Sequence, residues 1–177
     1  SQNNVIGKDG EIPWRIAKDF QHFKKATKGH AVVMGKNTFQ SLPNVLPERL
    51  NIVVSSTLKI DDDNVVVVDS LSSAKQLAKE KGFEILWVIG GERMYGEIMP
   101  TVDELWITDI HTTVSYAIGD TVALFKVDLD RQRWVQTKNE LCLNSGNGPD
   151  CTFNIWKRRS KPSLYLEDIL VNEPEQY

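Results

Sequence analysis

Asp19 is the residue in this 177-residue chain whose position most needs a chemical reason. Ile16, Phe20 and Phe23 recur at i, i+4 and i+7, which predicts one apolar stripe on a helix over 15–27. Asp19 is three residues after Ile16 and four before Phe23, so it falls on that stripe. An unpaired carboxylate there costs roughly several kcal/mol of desolvation or takes up a proton. A salt bridge or a helix-cap contact would be the ordinary answer for an isolated Asp. Here Pro13-Trp14 comes just before the helix, and aromatic side chains flank the acid on the same face. That pattern suits an apolar small-molecule pocket with one charged group at its base, whose pKa should lie above the usual carboxylate value.

Two further stretches could seat an anion. Gly35-Lys36-Asn37-Thr38 follows a short apolar strand, 31–34, and opens a helix running through Ser41. Gly90-Gly91-Glu92-Arg93 follows the strand 85–89 and opens a helix over 92–99, stopped at Pro100. Free backbone N–H groups and a helix dipole point outward at such turns, although many strand-to-helix turns bind nothing.

Together these motifs resemble the dihydrofolate reductase family. Val5-Ile6-Gly7, Ile12-Pro13-Trp14, Asp19 and Phe23 carry the first part of the likeness. Val32-Val33-Met34-Gly35-Lys36-Asn37-Thr38-Phe39 resembles the second strand and cofactor turn. Leu46–Ile52 resembles the segment with the folate-binding arginine, and Val88–Tyr95 the double-glycine motif. The likeness covers residues 5–157, and several motifs in the right order are far more specific than any one.

The resemblance implies NADPH-dependent reduction of 7,8-dihydrofolate to tetrahydrofolate, in one-carbon metabolism and thymidylate supply. Asp19 would hold the pterin's amino-pyrimidine edge by two hydrogen bonds, with Thr108 behind it. Trp14 would hold a water and cover the pterin, or pack as a core aromatic. Ile12, Phe20, Phe23, Leu42, Leu46 and Ile89 would form the apolar walls. Arg49 would clamp a glutamate carboxylate of the substrate in bidentate fashion. Gly35, Lys36, Asn37 and Thr38 would meet Gly90, Gly91, Glu92, Arg93, Met94 and Tyr95 around the cofactor's pyrophosphate. Gly90-Gly91 is expected to be a cis pair. Ser55 and Ser56 would join Lys36 and Arg93 at the extra phosphate of NADPH. Ile6, Gly7 and Thr121 would line the nicotinamide side, where the loop 7–14 closes and Asp120 acts as its latch. Antifolate inhibitors would bind the same pocket. The expected setting is a cytoplasmic monomer with no metal, nucleic-acid or membrane partner.

Some positions depart from the family pattern. Lys36 stands where many members have arginine, and Ile12 is β-branched and stiffer than methionine. The loop before Asp120 is about three residues longer than usual. The family's first strand, central in its sheet, has no counterpart after Ser1. Residues ahead of Ser1 are the favoured source of that strand. A fold-back of 163–171 and an incomplete, inactive sheet are the alternatives. Two other functions therefore stand beside the reductase: a related pterin or pyrimidine reductase, and a non-catalytic structural protein of the same fold.

The elements that must position these groups are legible from periodicity. Apolar strands are predicted at 31–34, 51–55, 65–68, 85–89 and 104–110, and helices at 15–27, 36–41, 72–81 and 92–99. Ser70 or Ser72 caps the third helix and Gly82 ends it. This alternation argues an α/β fold: a mixed, mostly parallel central sheet with helices on both faces. Residues 1–11 read as a loop. After His111 the pattern changes to antiparallel strands at 124–127, 134–143 and 152–158, the last two forming a C-terminal hairpin. One domain is expected over 1–159, with an acidic tail over 160–177.

Composition agrees with a globular protein, at 41% hydrophobic and 25% charged residues. A net charge of −3 gives no electrostatic case for nucleic acid or an anionic membrane surface. Cys142 and Cys151 flank the turn and read as cross-strand neighbours. They are expected as two buried thiols in a reducing compartment, with a disulfide as the geometric alternative. The three histidines show no metal-ligand spacing.

Overall fold

A computed structural model describes residues 1–127, 129–144 and 148–159. The expected tail at 160–177, including 163–171, lies outside the described residues. The elements run β1 (Val5–Lys8), α1 (Ala17–Thr27), β2 (Ala31–Gly35), α2 (Lys36–Ser41), β3 (Leu50–Val54), β4 (Val65–Val68), α3 (Leu71–Glu80), β5 (Leu86–Val88), α4 (Glu92–Ile98), β6 (Glu104–Ile110), β7 (Val122–Leu124), β8 (Trp134–Cys142) and β9 (Cys151–Arg158).

The parallel part of the fold has strand order β4-β3-β2-β5. Its strands are apolar on both faces because both faces are covered. Ala31 and Val33 of β2 point to one side, where they pack with Leu71, Ala74 and Ala78 of α3 and Met94 and Ile98 of α4. Val32 and Met34 point to the other side, against Phe39 of α2, Leu42 and Leu46. Each fully buried Val or Ile side chain contributes roughly 1.5–3 kcal/mol through its removal from water. Ser70 caps α3 as expected, its Oγ accepting from the Ser73 N–H at 3.1 Å.

Three features differ from the sequence reading. Residues 1–11 are not all loop: β1 pairs antiparallel with β7, with a bulge between Val5 and Gly7. Its partner is more than 100 residues away, so local pattern carries no sign of it, and β7 itself starts two residues earlier than expected. β6 follows the alternating run but leaves the parallel sheet. It joins a separate antiparallel sheet of order β6-β9-β8. The sheet is therefore mixed in character but divided into separate hydrogen-bonded pieces. β5 and β6 are both edge strands, and among the described residues no strand lies between them. Trp87 of β5 and Trp106 of β6 meet edge-on across this gap, with centroids 5.0 Å apart at 86°. The buried Nε1–H of Trp87 has no hydrogen-bond partner there.

The hairpin β8–β9 pairs Cys142 directly with Cys151, as the spacing implied, and both are buried free thiols. They pack with Ile16, Ile110 and Phe153 beneath the start of α1.

Candidate active site

α1 begins one residue later than its apolar periodicity. Ile16 is the N-cap, in extended conformation, and the first turn closes by the Phe20 N–H donating to the Ile16 carbonyl at 3.1 Å. Ile16 is almost fully buried, whereas Phe20 is 45% exposed. The stripe is thus divided. Ile16 anchors the helix to the hairpin core, and Asp19, Phe20 and Phe23 face a cavity of about 1900 Å³.

That cavity gathers almost every residue singled out from the sequence. Ile6, Gly7, Ile12, Leu42, Leu46, Arg49, Ile89 and Thr108 line it with the α1 residues. Gly35–Thr38, Ser55, Ser56, Gly90–Tyr95 and Thr121 line its other end. It also runs into the gap between β5 and β6, reaching Leu86 and Leu105. Trp14 is the exception. Its ring packs on the Ile16–Phe153 cluster and borders a separate cavity of about 530 Å³.

Asp19 behaves as a carboxylate in an apolar wall should. Burial pushes it above its ordinary value, against a hydrogen bond from Thr108 and the nearby His22, which act the other way. Thr108 lies on β6, opposite Phe153 of β9, so the antiparallel sheet fixes the group behind the acid.

Arg49 sits at the far end of α1. Its Nε–H donates to Thr27 Oγ1 at 2.9 Å, its Nη1 to the Pro47 carbonyl at 2.9 Å and its Nη2 to the Lys24 carbonyl at 3.3 Å. The guanidinium lies 6.0 Å from the centroid of the Phe23 ring. Of its five N–H donors, three are used here, leaving one on each terminal nitrogen. A pair of free donors on one planar fork matches a carboxylate.

Two supports for Arg49 went unnoticed in the sequence. Thr27, almost wholly buried at the end of α1, accepts from Arg49 and donates to the Phe23 carbonyl at 2.8 Å. Asn51 is 0% exposed. Its Nδ2 donates to the carbonyls of Leu46 at 2.9 Å and Arg49 at 3.2 Å, and its Oδ1 accepts from the Leu46 N–H at 3.3 Å. The available signal was an amide inside the apolar run Leu50–Val54, which must bind something to be buried.

At the other end, the peptide between Gly90 and Gly91 is cis. The Gly35 N–H donates to the Gly90 carbonyl at 2.8 Å, tying the two glycine turns together. A Cβ on Gly90 would stand 3.2 Å from the Tyr95 hydroxyl, and one on Gly91 would stand 3.3 Å from Thr38 Oγ1. Neither α2 nor α4 has a side-chain cap hydrogen bond at its first residue. The two turns thus pack too closely to admit a Cβ without displacing Tyr95 or Thr38, and no side chain caps the first-turn N–H groups that a phosphate would take.

Lys36 reaches Thr57 Oγ1 at 3.3 Å, beside Ser55 and Ser56. Ser55 Oγ is already engaged, accepting from the N–H groups of Thr57 and Leu58 at 3.2 and 3.0 Å. Glu92 points its carboxylate away to structural partners, the Leu124 N–H at 3.0 Å and Lys126 Nζ at 3.0 Å, which keep it ionised below its usual range. Tyr95 is half-buried, and desolvation of its hydroxyl pushes it up to about 12. The loop after β1 is latched. Asp120 pairs with Lys8 at 2.9 Å and accepts from the Ala117 N–H at 2.8 Å, and Asp9 exchanges hydrogen bonds with the Thr121 backbone.

Comparison with known proteins agrees with this geometry. A family model described as dihydrofolate reductase matches residues 1–158. The chain belongs to the dihydrofolate reductase family. A dihydrofolate reductase of Haemophilus influenzae is 34% identical over 158 residues, spanning 89% of this chain and 93% of that protein. One from Staphylococcus haemolyticus is 32% identical over 158 residues, 89% and 90% of the two chains. One from Bacillus subtilis is 40% identical over 109 residues, 62% of this chain and 64% of the relative. Members of the dihydrofolate reductase family are oxidoreductases, and a nicotinamide cofactor belongs to their reaction. No helix among the described residues is long and apolar enough to cross a membrane.

Proposed function

We propose that this chain reduces 7,8-dihydrofolate to tetrahydrofolate with NADPH, as a cytoplasmic monomer serving one-carbon metabolism and thymidylate synthesis. The observation that carries the reading is one cavity with Asp19 in its wall, Arg49 at one end and the paired glycine turns at the other.

Asp19 accepts hydrogen bonds from the amino-pyrimidine edge of the pterin, each charge-assisted bond contributing roughly 1.5–3 kcal/mol. Thr108 behind it favours the charged form that accepts these bonds. Its carboxylate, set in an apolar wall beside the pterin, also favours the arrival of a proton at the ring nitrogen. Phe20, Phe23, Leu42, Leu46, Ile12 and Ile89 exclude water and hold the ring plane. Arg49 takes the glutamate carboxylate on its two spare donors, and this selects folate over a bare pterin. That preference argues against the pterin or pyrimidine reductase alternative.

NADPH, when bound, supplies the hydride. Lys36, Asn37, Thr38, Gly91 and Arg93 would hold its phosphates, with Ser56 beside Lys36 at the additional phosphate. Trp14 serves the site by seating the start of α1 on the hairpin. Antifolates that mimic the pterin edge compete at Asp19.

Purified protein mixed with NADPH and dihydrofolate should lose NADPH absorbance, and an antifolate should stop it. Absence of that loss from folded protein would refute the proposal.

A further inference from the structure

His22 plays no part in the reading above, yet it shares the cavity wall with Asp19. The two are three residues apart on α1, so their side chains leave neighbouring points of one helix face. The imidazole stacks against two aromatic rings. Phe153 of β9 stacks on it at 4.3 Å and 23°, and Trp106 of β6 at 5.6 Å and 27°. Trp106 is itself fixed, its Nε1–H donating to Glu104 Oε2 at 3.0 Å and its ring set edge-on to Trp87.

A phenyl or indole ring would fill this stack at least as well. What an imidazole adds is a proton that it can gain or lose near neutral pH. The charges around it come from Asp19 and Lys25 on α1 and from Lys138 and Glu140 on β8. β6 and β9 meet it with aromatic rings and carry Glu104, Asp109 and Lys157 further along. Lys138 and Glu140 pair with each other at 2.6 Å, so their effects on the ring oppose. Other carboxylates line the same cavity, Glu104 and Asp109 among them, but Asp19 is the one a single helical turn from His22 on the same helix.

We propose that His22 is a positioning residue whose charge acts on Asp19 across one helical turn, so that the pair, and not Asp19 alone, governs how the reaction rate falls with rising pH. This rests on the role given to Asp19 above. Burial raises Asp19 and lowers His22, and the charge of each acts on the other in the opposite sense. Groups that titrate in the same range and feel each other's charge lose protons as a pair, in two macroscopic steps.

The test has two arms. In the first, the His22 ring is followed by NMR through a pH titration of the wild-type protein and of Asp19→Asn, with no substrate present. For charges separated by one helical turn beside a solvated cavity, its midpoint should fall by about half a pH unit or more in the variant. An unchanged midpoint overturns the pairing. In the second, hydride transfer to dihydrofolate is measured against pH for wild type and His22→Phe, which keeps the stack. Wild type should fall in two steps. The variant should fall in one, with its midpoint displaced upward and the low-pH plateau within about twofold. Superimposable profiles overturn the proposal. A wild-type protein that reduces no dihydrofolate refutes the function proposed above instead, and the NMR arm still decides the pairing.

Discussion

Replacing Asn51 by Ala should separate the support of Arg49 from the chemistry at Asp19. Asn51 is fully buried and makes three hydrogen bonds, two donated to the carbonyls of Leu46 and Arg49 and one accepted from the Leu46 N–H. Each contributes roughly 0.5–1.5 kcal/mol net, and truncation also leaves backbone groups without their partner. The segment between Leu46 and Arg49 is partly exposed, so water can satisfy some of them. The expected loss is about 2–3 kcal/mol, measured by urea unfolding of both proteins. The function should change selectively. The freed segment carries Leu46 and Arg49, to which the proposed function gives substrate contacts, while Asp19 is held by α1 and Thr108 on other elements. KM for dihydrofolate should therefore rise by about tenfold, equivalent to ~1.4 kcal/mol of binding, with kcat within about twofold. Thr27→Val is the companion test. It removes the acceptor of the Arg49 Nε–H bond without touching β3, and should raise KM in the same way. A stability change under about 0.5 kcal/mol together with an unchanged KM would refute the argument that Asn51 orders this segment.

Three further outcomes follow from the site. Asp19→Asn should lower turnover at neutral pH by at least about tenfold and yet stabilise the fold there. An acid whose pKa is raised in the folded state holds its proton more tightly there than in the unfolded chain, so wild-type stability falls as pH rises above 3.8. Urea unfolding at neutral and at strongly acid pH should show the variant's advantage only at the former; equal stability at both would contradict the raised pKa. Replacing Lys36 and Arg93 together by Ala should remove most of the preference for NADPH over NADH while leaving the circular dichroism spectrum intact; an unaltered preference would place the extra phosphate elsewhere. Burial and the neighbouring Cys142 push the Cys151 thiol up to about 12, so a thiol reagent should label neither cysteine quickly in the native protein at neutral pH and both on unfolding.

The sequence by itself determined the local elements and singled out the residues to which a chemical role is proposed. Apolar runs such as Val65–Val68 and the capped, glycine-ended α3 need only short-range pattern, and each appears within a residue or two of its expected place. The acid on an apolar helix face identified Asp19, because desolvation gives such a residue a cost that only a site or a partner repays. Arg49 and the two glycine turns were legible through resemblance, with the cis Gly90-Gly91 peptide among them.

Tertiary structure decided what depends on distant pairing. β1 is a strand only because β7 hydrogen-bonds to it, and nothing in Val5–Lys8 alone exceeds a loop signal. β6 has the apolar character of a parallel strand, yet its partner β9 runs antiparallel, and strand direction leaves no trace in local periodicity. Trp14 was placed by packing: it belongs to the cluster under Ile16, not to the large cavity. The side chain of Glu92, expected beside the cofactor, also tethers β7 through Leu124 and Lys126, which lie some thirty residues on. Asn51, Thr27 and His22 are ordinary polar residues until the fold encloses them; their roles come from what a buried donor, acceptor or imidazole is made to face.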